Sequence, residues 1–67
     1  MPKEYEVVLS TKELEEKVPI NTIGTVLMVF DDDNMKKYEV EFVNDQGDFL
    51  ALLTVEESDI KLNNILS

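Results

Sequence analysis

The feature that most constrains this fold is a pair of β-like segments joined by a short turn. Residues 38–44 (YEVEFVN) alternate large apolar side chains with acidic ones, and residues 49–55 (FLALLTV) are apolar and rich in strand-forming residues. Strict alternation is typical of a half-buried antiparallel strand. Between the segments lies DQGD, in which Gly47 is free to adopt a positive φ. The sequence therefore predicts a β-hairpin.

Centring the turn on Gln46 and Gly47 sets the register of this hairpin. The pairs would be Val43 with Leu50, Phe42 with Ala51, Glu41 with Leu52, Val40 with Leu53, Glu39 with Thr54 and Tyr38 with Val55. Opposed residues share a face of the sheet. The predicted core face then holds Tyr38, Val40, Phe42, Ala51, Leu53 and Val55. On the other face Val43, Leu50 and Leu52 would point outward, with Glu39 and Glu41 at the rim.

Three further strands are predicted, at 5–9, 22–30 and 60–62. Residues 10–21 form a long loop in which Pro19 allows at most one helical turn, and Val18 or Ile20 would anchor it. Residues 31–34 form a turn, and 56–59 a single 3₁₀ turn. Gly24, inside the second strand, indicates a bulge, a sharp bend or close approach by another backbone.

This order of elements predicts an all-β fold, a small SH3-like five-stranded barrel with a long first loop and a short 3₁₀ turn before the last strand. Residues 1–67 would form one domain, with the barrel core at about 5–62 and a tail at 63–67.

The same segments resemble a known family. The blocks IGTV at 23–26, YEVEFV at 38–43, LALLTV at 50–55 and SDI at 58–60 are similar to a family of small bacterial domains of unknown function, numbered forty-nine twenty-six. The resemblance covers roughly residues 18–62. It implies an SH3-like fold and, because some members are encoded beside toxins, an antitoxin or immunity role. It implies no catalytic residue. The charge-dense loop at 12–17 and the Asp triplet at 31–33 depart from the family pattern.

Composition argues against catalysis and against a bound metal or cofactor. The chain has no cysteine and no histidine, so thiolate and imidazole chemistry are absent. A calcium loop starting at Asp31 would need glycine at its sixth position and glutamate at its twelfth, where this chain has Lys36 and Phe42. We expect no enzymatic activity, no cofactor and no metal site, with a weak surface site for calcium or magnesium as the alternative.

The charge favours a basic protein as the partner. Fifteen acidic residues against six basic ones give a net charge of −9. Such a field repels nucleic acid and anionic membranes and attracts basic surfaces. The N-terminus has no apolar signal-like stretch, and the longest apolar run is too short to span a bilayer. We expect a soluble, cytoplasmic protein.

The candidate binding surface combines the outward apolar residues with the acidic turn. Its residues are Glu39, Glu41, Val43, Leu50, Leu52, Asp31, Asp32 and Asp33. An exposed apolar strip with an acidic rim is typical of a docking surface. Alternatively, the first loop (through Leu14 and Val18) or the tail (through Ile65 and Leu66) covers this strip. The sequence predicts a non-catalytic protein-interaction module, antitoxin-like or immunity-like. The alternatives are a small homo-oligomeric or accessory structural subunit and a nucleic-acid-binding barrel, which the charge disfavours.

Overall fold

Five antiparallel strands form one sheet in the computed structural model of the chain. The structure describes residues 2–63, and of Asp32 only the backbone. The strands are β1 (Val7–Ser10), β2 (Ile23–Asp32), β3 (Met35–Val43), β4 (Phe49–Glu56) and β5 (Ile60–Leu62), with a 3₁₀ turn at Glu57–Asp59. Their order in the sheet is β4-β3-β2-β1-β5. The all-β class, the five strands and the 3₁₀ turn are confirmed.

The sheet is open, so closure into a barrel is not confirmed. β4 and β5 are the two edge strands, and they are not hydrogen-bonded to each other. The 3₁₀ turn joins them in sequence, whereas β5 pairs with β1 at the far side of the ladder.

One local prediction was left open and another was wrong. The loop between β1 and β2, in which Pro19 allowed at most one helical turn, forms none; it holds a tight turn closed by a bridge between Glu15 and Val18. The second turn is shorter than predicted, because β2 continues to Asp32 and β3 begins at Met35. Only Asp33 and Asn34 form the turn, with φ values of 49° and 68°. Two consecutive positive φ angles are the requirement of a type I′ hairpin, and Asp and Asn tolerate them well.

The core lies on the face that the alternation predicted. Tyr38, Val40, Phe42 and Val55 are buried, and Ala51 and Leu53 are partly buried against them. Four further buried side chains complete the cluster: Val8, Val18, Val26 and Ile60. Val18 therefore anchors the long loop, while the exposed Ile20 does not.

Gly24 allows β2 to pass close to the core side chains of β3. A Cβ at this position would lie 2.6 Å from Val40 Cγ1 and 2.8 Å from Phe42 Cδ1. Close approach is therefore the reason for this glycine. The bulge of β2 occurs further along, between Val26 and Met28.

Side-chain hydroxyls fix the long loop to the sheet. The buried Ser10 hydroxyl donates to the Pro19 carbonyl at 2.7 Å and accepts the Thr22 N–H at 2.9 Å. The Thr11 hydroxyl donates to the Ser58 carbonyl at 2.7 Å, and the Thr11 N–H donates to the Asp59 carbonyl at 2.9 Å. These bonds satisfy polar groups that the loop would otherwise leave unpaired.

Candidate functional site

The β3–β4 hairpin departs from the predicted register at its turn. The Asn44 N–H donates to the Asp48 carbonyl at 2.9 Å, and Asn44 Oδ1 accepts the N–H groups of Gln46 and Asp48, each at 2.9 Å. These bonds close a loop of three residues, 45–47, with Gly47 at a φ of 85°. The turn is thus centred on Gln46 alone, and Val43 lies opposite Phe49 rather than Leu50.

A bulge then restores the predicted register. Phe42 lies opposite Ala51, and the pairs from Glu41–Leu52 to Tyr38–Val55 are those the sequence predicted. Leu50 is the extra residue of the bulge. It is partly buried and packs against the core. The expectation that Leu50 faces outward with Val43 and Leu52 was therefore wrong, and Phe49 takes its place.

An apolar row crosses the outer face of the sheet, the face opposite the core. Consecutive cross-strand pairs place four residues side by side on β4, β3, β2 and β1: Phe49, Val43, Ile23 and Leu9. Directly opposed residues project to the same face. We call these four residues the apolar row. Phe49 is 61% exposed and Ile23 is 37% exposed, while Val43 and Leu9 are half-buried.

The adjacent rows carry the predicted carboxylates. Glu41 lies between Leu52 on β4 and Thr25 on β2, and Glu39 lies between Thr54 and Met28. Both glutamates are partly buried, and Leu52 is 48% exposed. Glu39, Glu41, Val43 and Leu52 are therefore neighbours on one surface, as the hairpin pattern predicted. The outer face combines apolar area with two carboxylates inside it rather than only around it.

The first loop does not cover this surface. Its Val18 belongs to the core cluster on the opposite face, and Leu14 packs against the same cluster. The other covering segment that the sequence suggested, through Ile65 and Leu66, lies outside the described residues.

The acidic turn lies apart from the apolar row. Asp31 pairs with Lys36 near the tip of the β2–β3 hairpin, and Asp33 lies in the turn itself. Val43 and Met35 are at opposite ends of β3, so at about 3.3 Å per residue the turn and the row are roughly 26 Å apart. The structure therefore does not bring Asp31, Asp32 and Asp33 together with Val43 and Leu52.

The described residues hold no cluster of metal-binding side chains. Within residues 2–63, no three acidic side chains converge closely enough to hold a metal ion. No helix in this part of the chain is long and apolar enough to cross a membrane.

One ionisable group is perturbed at the core. Burial raises the pKa of Tyr38 above its ordinary 10.0, and the negative charges of Glu57 and Asp31 raise it further. Its hydroxyl is buried and has no hydrogen-bond partner within residues 2–63. This environment keeps the phenol neutral, so it serves packing.

Sequence reasoning missed Phe49, Ile23 and Leu9 as members of the outer surface. The position of Phe49 depends on the Asn44 hydrogen bonds that centre the turn on Gln46. The positions of Ile23 and Leu9 depend on the registers of β1, β2 and β3, which are far apart in the chain. Val43 is the one member of the apolar row that was predicted, and the alternation of β3 was enough to predict it.

One family model matches the chain over residues 4–62, and it is described as a domain of unknown function (DUF4926). The match extends the resemblance seen at 18–62 toward the N-terminus and takes in all five strands. No curated protein and no solved structure matches the chain. Because the family model spans most of its length, the chain belongs to the DUF4926 family, a domain of unknown function.

Proposed function

We propose that this protein is a non-catalytic interaction module that binds a basic protein through the outer face of its sheet. The observation that carries the proposal is the apolar row, in which Phe49 is 61% exposed, adjoining Leu52, which is 48% exposed. Large exposed apolar side chains that lie together on one sheet face are typical of a protein-binding surface. They would become the buried centre of the interface.

Charge complementarity selects the kind of partner. Glu39 and Glu41 lie among the apolar residues of this face, and the whole chain carries a net charge of −9. Lysine or arginine side chains on a partner would pair with these glutamates and speed association. The partner is thus a basic protein, such as a toxin or enzyme that this module neutralises in an antitoxin-like or immunity-like role. As part of the proposal, we place the interaction in the bacterial cytoplasm. The chain has no cysteine and so forms no disulfide, which agrees with a reducing compartment.

We also propose that the sheet is an open variant of the SH3-like barrel. Support comes from the strand order β4-β3-β2-β1-β5, the long loop after β1 and the 3₁₀ turn before β5. In this arrangement the loop side chains close the core face, which leaves the outer face available for a partner.

The test compares three forms of the protein immobilised in lysate of the native host. The outer-face variant carries Phe49→Lys and Leu52→Lys. The matched control carries Met35→Lys at the tip of the β2–β3 hairpin, where the methionine is also exposed, at 54%. Folding of each form is checked by amide chemical-shift dispersion.

The proposal expects a basic protein to be retained by the wild type and the control but not by the outer-face variant. Retention should weaken as salt is raised from low to physiological concentrations, because opposite charges across an interface are screened. Equal retention by all three forms would show that this face is not the docking surface.

A further inference from the structure

Among the described residues, nothing pairs with the backbone edge of β4 along its regular part. β4 is an edge strand, and its eight residues, FLALLTVE, contain no proline and no basic residue. A long, apolar edge strand presents N–H and C=O groups that can pair with another strand. Only the N–H and C=O groups of β4 that face away from β3 can pair in this way.

Two separate sets of hydrogen bonds identify them. The Val26 N–H donates to the Glu6 carbonyl at 3.0 Å, so the backbone groups of Val26 face away from β3. Backbone groups alternate in direction along a strand. Thr25 therefore bonds to Glu41 on β3, and the groups of Leu52, opposite Glu41 on β4, face the free edge.

The end of β4 gives the same result. The Glu56 N–H donates to Asp59 Oδ2 at 2.9 Å, so it is not directed toward β3. Counting back by twos along the strand, Thr54 and Leu52 face the same way. Their N–H and C=O groups have no partner within residues 2–63. The free edge is thus centred on Leu52 and Thr54.

Charge at both ends of β4 decides what can pair with it. Asp48 precedes the strand, and Glu56 and Glu57 follow its apolar part. An antiparallel pairing of β4 with β4 of a second copy, centred on Leu52, would place Asp48 against Glu56 at both ends. Like charges opposed across strands destabilise such a pair. A strand with lysine or arginine at its ends would instead find an opposite charge at each end.

The side of the edge that faces the core is also suited to a basic strand. A groove there is lined by Leu50 and Ala51 of the sheet and by Glu15, Glu16 and Lys17 of the first loop. An apolar side chain of an added strand would lie on Ala51, and a basic one would reach the glutamates.

We propose that the partner binds by strand addition: an extended segment of the basic protein, apolar in the middle and basic at both ends, pairs with β4 at Leu52 and Thr54. This inference rests on the proposed function and specifies how the partner is held. Backbone bonds would supply affinity and the outer face would supply specificity.

The first experiment uses a labelled nine-residue peptide with lysine at each end and alternating valine and threonine between. Binding is followed by fluorescence anisotropy at low salt. Two further peptides carry N-methyl groups on alternate amides, in the two possible phases. Since alternate amides of a strand face opposite sides, only one phase removes the bonds to β4.

We expect one phase to weaken binding at least tenfold and the other to leave it within about twofold, because each phase removes more than one hydrogen bond or none. Equal binding of both methylated peptides would overturn the inference, and so would the absence of binding by the parent peptide at millimolar concentration.

The second experiment changes the protein. Thr54→Pro removes the N–H that faces the free edge and leaves the bonds to β3 in place, and proline is tolerated on an edge strand in that position. Thr54→Val is the matched control, because it keeps the N–H. The inference expects the proline variant to remain folded and to bind the peptide at least tenfold more weakly than the valine variant.

The two proposals fail differently. If Thr54→Pro retains the basic protein from lysate while Phe49→Lys with Leu52→Lys loses it, strand addition is wrong and the interaction module stands. If the proline variant alone loses it, the edge is the site and the outer face is not. If the proline variant fails to fold, the methylated peptides still decide the matter.

Discussion

At the scale of single residues, the two glycines serve different physical needs. Gly24 leaves room for two core side chains, since a Cβ there would meet Val40 and Phe42 within 3 Å. Gly47 has open space around its Cβ position but a φ of 85°. The first requirement is steric and the second is conformational, so the same substitution acts through different mechanisms at the two positions.

Gly24→Ala is expected to destabilise the protein by about 1–3 kcal/mol, because the core must shift to accept the methyl group. Gly24→Asn should destabilise the protein more than Gly24→Ala does. Gly47→Asn should cost less than Gly47→Ala, because asparagine tolerates positive φ. Urea unfolding of the four variants tests this. A smaller loss for Gly24→Asn than for Gly24→Ala would contradict the steric account.

Tyr38 is the residue with the clearest polar defect. Its hydroxyl is buried and makes no hydrogen bond in the part of the chain that the structure describes. Tyr38→Phe removes that unsatisfied group, so we expect the free energy of unfolding to stay the same or rise by up to about 1 kcal/mol. If the free energy of unfolding measured in urea fell by more than about 1 kcal/mol, the hydroxyl would have a hydrogen-bond partner in solution.

The same substitution also affects the alkaline limit of stability. Burial first, and then Glu57 and Asp31, raise the pKa of Tyr38 in the folded state above 10.0. The folded state therefore holds this proton more tightly, and the resulting stability is present below pH 10 and is lost as the pH rises through the folded pKa. Tyr38→Phe should lose less stability across that range than the wild type.

At the scale of elements, the bulge in β4 decides which leucines are structural. Leu50 is the bulged residue and packs against the core, whereas Leu52 lies on the outer face and is 48% exposed. The two positions are only two residues apart, and without the bulge they would project to the same side.

Leu50→Lys is therefore expected to destabilise the fold by about 2 kcal/mol, because it places a charge against the core. Leu52→Lys should change stability by no more than about 0.5 kcal/mol. Thermal unfolding of the pair is the measurement. Equal losses of stability for Leu50→Lys and Leu52→Lys would contradict the assignment of Leu50 as the bulged residue.

The 3₁₀ turn is joined to the first loop through Asp59. Its carboxylate accepts the Glu56 N–H and pairs with Lys12 Nζ at 3.0 Å. Burial by itself would raise the pKa of Asp59, but the Glu56 hydrogen bond and Lys12 outweigh it, so the pKa is lowered from 3.8. This contribution to stability is present above pH 3.8 and is lost as the pH falls through the folded pKa.

Asp59→Asn keeps a hydrogen-bond acceptor and removes the charge. We expect a loss of no more than about 1 kcal/mol at neutral pH, because Lys12 is largely exposed. The difference from the wild type should vanish below the folded pKa. Lys12→Met is the matched control. Like Asp59→Asn, it should make the free energy of unfolding depend less on pH in the acidic range. A difference of the same size at neutral and at strongly acidic pH would rule out an ionic origin.

At the scale of the whole molecule, net charge sets the behaviour of the exposed faces. A charge of −9 on 67 residues opposes association of identical copies, although the outer face is apolar. In the proposed interaction, the same field would attract a basic partner.

We expect the protein to sediment as a monomer at low ionic strength, since repulsion between copies is then least screened. The competing view, a homo-oligomer formed through the outer face, predicts a larger species that Leu52→Lys dissociates. Velocity sedimentation of the two forms separates these outcomes.

The sequence by itself determined the elements and the core face. The alternation at Tyr38, Val40 and Phe42 specified which side of β3 is buried, since side chains in a strand alternate between faces. The glycine, asparagine and aspartate residues indicated both hairpins but not their exact turn residues, and the polar run at 56–59 predicted the 3₁₀ turn. These features depend on neighbours in the chain, where propensity and period act directly.

Only the tertiary structure decided the surface. The Asn44 hydrogen bonds moved the centre of the turn onto Gln46, so Phe49 rather than Leu50 joined Val43 on the outer face. Ile23 and Leu9 joined that row through pairings between distant segments. The openness of the sheet was decided in the same way, because strand closure depends on the summed twist and bulges of all five strands. Such long-range geometry has no local signal in the chain.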